Sequence, residues 1–566
     1  MPTIKFNRYY KYAELIKLLK AYENEYPQLV RVTTIGKSYE GREIPLVTVT
    51  KGGNDKDKPA FWCDGNIHAS EVSASTSVLY LLNKLCTQYG KDKRVTQVLN
   101  TRAFYLVPRV NPDGAEWALQ NPPRIVRSST RPYPYDEDDL YGIERQDIDK
   151  DGRILSMRIK DPNGPWKISK EEPRLLKLRD PDDTGGTYYR LMPEGLLHNF
   201  DGMTLRPQRI KQGLDLNRNF PSAWRQEHEQ FGAGPFPTSE PEIDALVRAI
   251  VERPNICGAI TFHTFSGVHL RPPSRVPDDE LPPEDIWTFK EIGDKGTELT
   301  GYPAISNYHE FKYHPKEVIT GVFDDWMYEH RGVYSWTTEI WSPQRQAGIK
   351  DYKYIDWFRK HPFEDDLKLL KWSDDKLDGK GYVEWYKFKH PQLGQIELGG
   401  WDAHYAFRNP PLQFLEKEVA PFSDWAIWQA LASPKLETRE VRVEAAGPKA
   451  KRIRFAVQNT GWLPTNVTKI AEQKKLTRGV VGEITLNGKP LQGAGSAQPQ
   501  WLVSGKLRQE GGQLVGWSHQ AVSGFGWHAD PTDDVVVFEW VVRSPGSYEL
   551  LAKHERAGTV REKVKV

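Results

Sequence analysis

The stretch PAFWCDGNIHASEVSASTSVLYLLNKL, residues 59–85, decides how the chain folds. Pro59 to Cys63 form an apolar run, and from Val72 to Leu85 apolar side chains recur at helical spacing. A strand therefore leads into a helix, and the hinge between them carries His68 and Glu71, three residues apart. An imidazole and a carboxylate so placed are either two solvated loop side chains or part of a metal site. The second reading needs a third ligand and some chemistry elsewhere.

Upstream, YAELIKLLKAYENEYP has the spacing of an amphipathic helix, and LVRVTTIGKS and REIPLVTVTK read as a hairpin around YEG. Downstream, RAFYLVPRVNPDG reads as a strand ending in an Asn-Pro-Asp-Gly turn. After a break, the rhythm resumes with GLDLNRNFPS, the helix SEPEIDALVRAIVE, the strand ICGAITFH and the strand GVYSWTTEIWSP. Strands alternating with helices specify an α/β fold, in which ligands gather beyond the carboxyl ends of the strands. The break, residues 128–211, is polar and rich in Pro, Gly and Asp, and reads as an insertion. Helix and loop are expected from the end of GVYSWTTEIWSP to about Ser433. From 434 to 566 strands alternate with Gly-rich turns, which suggests a β-sandwich following a domain of residues 1–433.

Composition narrows the function classes. A chain of 566 residues with 38% hydrophobic and 27% charged side chains is ordinary globular protein of more than one domain. Its 78 basic and 76 acidic groups leave a net charge of +2, so nothing argues for nucleic acid. No apolar run reaches the roughly 18 residues that a membrane helix needs. Cys63, Cys86 and Cys257 lack paired spacing and read as small core residues. That usage fits the cytoplasm; export would require a leader already removed.

The third ligand has a candidate in GAITFHTFSG, where His263 ends an apolar, β-branched strand, the same topological place as His68. Two imidazoles and a carboxylate leave one zinc position open, as catalytic rather than structural zinc requires. A hydrolase then needs a base. The alternation of GVYSWTTEIW puts Val333, Ser335, Thr337 and Glu339 on one face, with Glu339 at the strand's end. Burying a carboxylate there is costly unless it has a partner or a role.

With these residues in order, the chain resembles the zinc metallocarboxypeptidases of the pancreatic carboxypeptidase A and B type over roughly residues 8 to 430. GNIHASE looks like that family's His-x-x-Glu zinc motif, and FHTFSG like the segment bearing its second zinc histidine. LDLNRNFP is similar to its Asn-Arg segment, which implies that Asn217 and Arg218 hold the substrate's terminal carboxylate. PRIVRSSTR is similar to its arginine-bearing stretch, which assigns the scissile carbonyl to Arg127, with Arg124 as a competitor. DDWMYEHRGVYSWTTEI is similar to the segment leading to its catalytic glutamate, Glu339 here. The resemblance implies a mixed twisted sheet flanked by helices, one zinc per chain, and a peptide substrate with a free C-terminal carboxylate.

The pattern departs from the family in three places. Where a lid tyrosine is expected stands Glu317, with Tyr308 or Tyr313 as replacements through a loop of different length. In the insertion, DIDKDGRI resembles the start of an EF-hand loop through Asp147, Asp149 and Asp151, but Arg158 takes the place of the bidentate Glu. A calcium site and a solvated acidic turn are both open there. Asp324 aligns with the base of the specificity pocket, which favours basic C-terminal residues, against a simple helix-capping role. Two other functions compete with a carboxypeptidase: a same-fold zinc amidase acting on modified or cell-wall peptides, and a catalytically inactive peptide-binding module. Trp501, Trp517 and Trp527 in the last segment read as core aromatics rather than a binding surface.

Overall fold

The computed structural model describes residues 3–135, 140–314, 316–488, 498–520, 530–543 and 545–566. An eight-stranded mixed sheet dominates, in the order Val30–Lys37, Glu43–Val49, Ala103–Val107, Ala60–Gly65, Ile256–Thr264, Tyr334–Ile340, Val268–Arg271, Ala304–Ser306. The four strands Ala103–Val107, Ala60–Gly65, Ile256–Thr264 and Tyr334–Ile340 run parallel. Every residue of Ala60–Gly65 and Ile256–Thr264 is buried, as expected of parallel strands covered on both faces. Helices Val72–Gln88 and Leu412–Ala432 pack on the sheet and on each other; Pro241–Val251, Pro283–Thr300 and Phe323–Arg331 complete the covering. Because the central strands share one direction, whatever follows or ends them gathers along a single edge.

Two sequence expectations need correcting. Asn-Pro-Asp-Gly at 111–114 starts a helix, Pro112–Leu119, rather than making a turn. The Asn111 side chain accepts from Gly114 N, and Pro112, lacking an N–H, sits at the start of the helix, where an N–H would have no acceptor within the helix. The region after Trp341 is not helix and loop throughout. Tyr382–His390 and Gly394–Trp401 form a hairpin, and the second of these pairs with Ser156–Lys160 of the insertion. The result is a six-stranded sheet shared by the insertion and the distant hairpin.

Two four-stranded antiparallel sheets follow from Leu436, and Phe455, Phe538 and Trp540 of one face Ile484, Tyr548 and Leu550 of the other across a common apolar core. This sandwich is tied to the main sheet's layer by buried polar contacts. Arg556 donates to Gly332 O at 2.9 Å, and Asp285 accepts from Lys469 N at 2.6 Å and Ile470 N at 3.0 Å. Trp501 packs on Tyr548, Trp517 is exposed, and Trp527 lies outside the described residues. Among the described residues no helix is long and apolar enough to cross a membrane.

Candidate active site

His68, Glu71, His263 and Glu339 meet at the carboxyl edge of the parallel strands. The chain leaves Gly65 and turns through Asn66 with φ of 65°. Asn66 Nδ2 donates to His68 O at 2.7 Å, and Asn111 Nδ2 holds Ile67 O at 3.2 Å and Ser128 O at 2.7 Å. Gly114 permits this crowding, since a Cβ there would come within 2.6 Å of Ala69 Cβ. Two buried amides thus fix the loop that presents His68 and Glu71.

The donor set suits a divalent cation. The ligand atoms of His68, Glu71 and His263 all lie within 4.8 Å of one another. His68 Nδ1 is 3.0 Å from Glu71 Oε1 and 3.0 Å from His263 Nδ1. The outer nitrogens explain which inner ones are bare. His68 Nε2 meets Asp215 Oδ1 at 3.0 Å, so its proton is on Nε2. Thr261 Oγ1 donates to Asp64 Oδ1 at 2.6 Å, and so its oxygen accepts from His263 Nε2 at 3.3 Å. Both Nδ1 lone pairs therefore face the same point as a carboxylate, an arrangement that repels itself unless a cation sits between.

Asp215 has no motif role in the sequence. It is buried, and it takes His68 with Oδ1 and Arg127 Nε with Oδ2 at 2.9 Å. Arg127 reaches on to Glu71 Oε1 at 3.5 Å. Arg124, its competitor, instead stacks on Trp117 at 3.7 Å. Burial opposes ionisation of Asp215, but Arg127, Arg218 and His68 overcome it and keep the acid well below its usual range.

Asn217 and Arg218 form a single turn that Asp215 caps, its Oδ1 accepting from Asn217 N at 2.9 Å. Asn217 Oδ1 accepts from Phe323 N, which leaves Nδ2 as a donor; Arg218 Nη1 is 4.0 Å from Asp215 Oδ2. Next to Phe323, Asp324 is buried and accepts from Asn307 Nδ2 at 2.8 Å. Burial raises its carboxyl above the ordinary value. A cavity of about 990 Å³ lies against Arg218 and is lined also by Tyr133, Trp224, Tyr313 and Glu317. Tyr308 lines a different cavity and lies under Lys312 Nζ. Of the two tyrosines considered for the lid, only Tyr313 borders the cavity of Arg218.

Glu339 stands in register with His263 on the neighbouring strand, and its Oε2 is buried without a hydrogen-bond partner. Burial first, then the charge of Glu71, push its carboxyl up to about 7. A carboxyl that is uncommitted and easily protonated beside the donor set has the properties of a proton carrier.

The acidic loop of the insertion behaves differently. The carboxylates of Asp147, Asp149 and Asp151 lie near one another, but the loop's own donors occupy them. Asp147 accepts from Lys150 N and Gly152 N, Asp149 from Asp151 N and the Tyr386 hydroxyl, and Asp151 pairs with Arg153. Arg158 pairs with Glu397 at 2.8 Å. This is a self-capped turn, and it gives calcium no support.

Residues 15–357 match a family described as "Zinc carboxypeptidase", and residues 435–565 one described as "Domain of unknown function (DUF8731)". Carboxypeptidase B of Astacus astacus is 30% identical over 164 residues, 29% of this chain and 46% of the relative. Carboxypeptidase A2 of Mus musculus is 37% identical over 112 residues, 20% of this chain and 26% of the relative. The chain thus spans less than half the length of either. Among solved structures, carboxypeptidase A from Helicoverpa armigera aligns with a TM-score of 0.42 at 16% identity, covering 66% of this chain and 74% of that one.

Proposed function

The chain belongs to the zinc carboxypeptidase family, and from that membership we propose that it removes the C-terminal residue of peptides. One observation carries the reading: Asp215 joins the imidazole of His68 to the guanidiniums of Arg127 and Arg218, so a carboxylate clamp abuts the metal-donor set. Zinc, held by His68, Glu71 and His263, would supply a Lewis acid and a lowered pKa for water. Arg218 and the Asn217 amide hold the terminal carboxylate, a charged and a neutral donor side by side. Arg127, oriented by Asp215, donates to the scissile carbonyl oxygen as negative charge builds on it. Glu339 takes a proton from the attacking water and delivers it to the leaving amine. Asp324, next to Phe323, draws basic C-terminal side chains, and Tyr313, which borders the cavity of Arg218, closes over the carboxylate.

Peptides ending in Lys, Phe or Glu, each with a free and an amidated terminus, test this directly. The free acids should be cut, Lys fastest, and chelation followed by zinc should abolish and restore turnover. Indifference to amidation would remove Asn217 and Arg218 from their role, and a preference for Phe would remove Asp324 from its own. The cavity against Arg218 favours one second reading, an amidase that accepts a leaving group larger than one residue, such as a modified or cell-wall peptide. Faster cleavage of amidated or extended substrates would select it.

A further inference from the structure

The segment Asp402–Asn409, beyond the matched residues 15–357, reaches back into the site. We propose that Arg408, seconded by Arg145, forms a subsite for an acidic group on the acyl side of the substrate, N-terminal to the bond that is cut. The inference rests on the carboxypeptidase reading above and deepens it.

The segment is built to hold Arg408 in place. Ala403–Arg408 is a π-helical turn whose first residue follows Asp402, and the Asp402 side chain accepts from Tyr405 N at 3.0 Å. Trp341 Nε1 donates to Ala406 O at 2.9 Å, just past the strand of Glu339. Fully buried Asn409 donates to Ser70 O at 2.8 Å and accepts from Ser73 N at 3.0 Å. Those two backbone groups flank Glu71, so Arg408 is registered against a metal-donor residue by its own neighbour.

From there the Arg408 side chain, 36% exposed, lies over the Phe265 ring at 4.9 Å and brings Nη1 to 3.7 Å from Glu71 Oε1. Arg127 approaches the same Glu71 oxygen, and Arg218 approaches the same Asp215 oxygen as Arg127. Arg218, Asp215, Arg127, Glu71 and Arg408 therefore alternate in charge along the cleft. With the terminal carboxylate at Arg218 and the scissile carbonyl at Arg127, the next guanidinium meets what precedes that carbonyl. Asp215 is already shared, and Glu71 is committed to the metal donors, so Arg408 has no carboxylate of its own. Among the described residues, no ion pair holds Arg145. It lines a small cavity with Ile125 and His404, whose buried Nε2 has no partner. Desolvation of its guanidinium, then the charge of Arg408, hold the Arg145 pKa down, while the charge of Glu194 pulls the other way.

The test uses N-acetylated peptides with a common C-terminal Lys and with Glu, Gln or Lys scanned over the two preceding positions, on the zinc-loaded full chain. Glu at one position should exceed Lys in kcat/KM by about tenfold or more, the worth of a hydrogen-bonded charge pair. Arg408→Gln should abolish that ratio, Arg408→Lys should keep part of it, and Arg145→Gln should reduce it. Comparing substrates within each variant cancels any general loss of activity. A ratio near one in the native protein, or one unchanged in Arg408→Gln, overturns the proposal. If no peptide is hydrolysed, the parent reading falls. The Glu-to-Lys affinity ratio of the same peptides for Glu339→Gln, measured by calorimetry, then decides the subsite alone.

Discussion

Glu339 lies level with His263 on the adjacent parallel strand, so the candidate base and a metal donor are positioned by the same backbone ladder. Glu339→Gln keeps the shape and removes the proton acceptor. Turnover should fall by about 10²- to 10⁴-fold while zinc content, read by metal analysis, stays at one per chain. Full activity in this variant would dismiss Glu339 as the base.

Asp215→Asn should act on the metal through His68. An amide can donate to His68 Nε2 as well as accept from it, so the proton is no longer fixed there, and Arg127 and Arg218 lose their shared anion. Zinc affinity, followed by competition with a chelator, should weaken by about 10- to 100-fold. Activity at saturating zinc should remain impaired, because Arg127 is no longer held.

Glu242 offers a pH-dependent stability test away from the site. Burial, then the charges of Asp113 and Glu240, raise its carboxyl from 4.5 to about 7. The folded protein therefore keeps a proton that the unfolded chain releases above about pH 4.5, so this contribution is complete below that pH and lost as pH rises to about 7. Its Oε2 has no partner, so an amide there breaks no contact. Glu242→Gln should stabilise the protein at about pH 8 by up to roughly 3 kcal/mol and have almost no effect near pH 4, as read by denaturant unfolding.

Much of this was legible from residues 59–85 outward, because a strand, a turn with two ligands and a helix each leave a local signal. The remaining parts left weaker ones. Asp215 sits between Leu214 and Leu216, two residues before Asn217, a charge with no visible reason until folding brings it to His68. Aromatic and charged residues mix along Tyr382–His390, which is a strand signal, but the strand that pairs with the other arm of its hairpin lies more than two hundred residues earlier. Arg408 carries no motif at all; the contacts of Asp402, Ala406 and Asn409 place it. Arg127 and Arg124 are indistinguishable in PRIVRSSTR, and the stacking of Arg124 on Trp117 separates them.

Asp285 should be the most sensitive single contact between the two layers. It accepts from Lys469 N, Ile470 N and the hydroxyls of Tyr328 at 2.8 Å and Tyr334 at 3.2 Å. Asp285→Ala strands these donors and should cost about 2–4 kcal/mol. Limited proteolysis should then cleave first around residues 469–473, ahead of the main sheet.

Asn409 also marks how far an expression fragment must extend. A piece trimmed to the family signature would stop at residue 357 and discard the amide that clasps Ser70 and Ser73, together with the helix that covers Val72–Gln88. The hydrolytic machinery is thus not a cassette that can be lifted out at its recognisable edge. Its keystone arrives late in translation, and a nascent chain shorter than that has ligands with nothing to lock them.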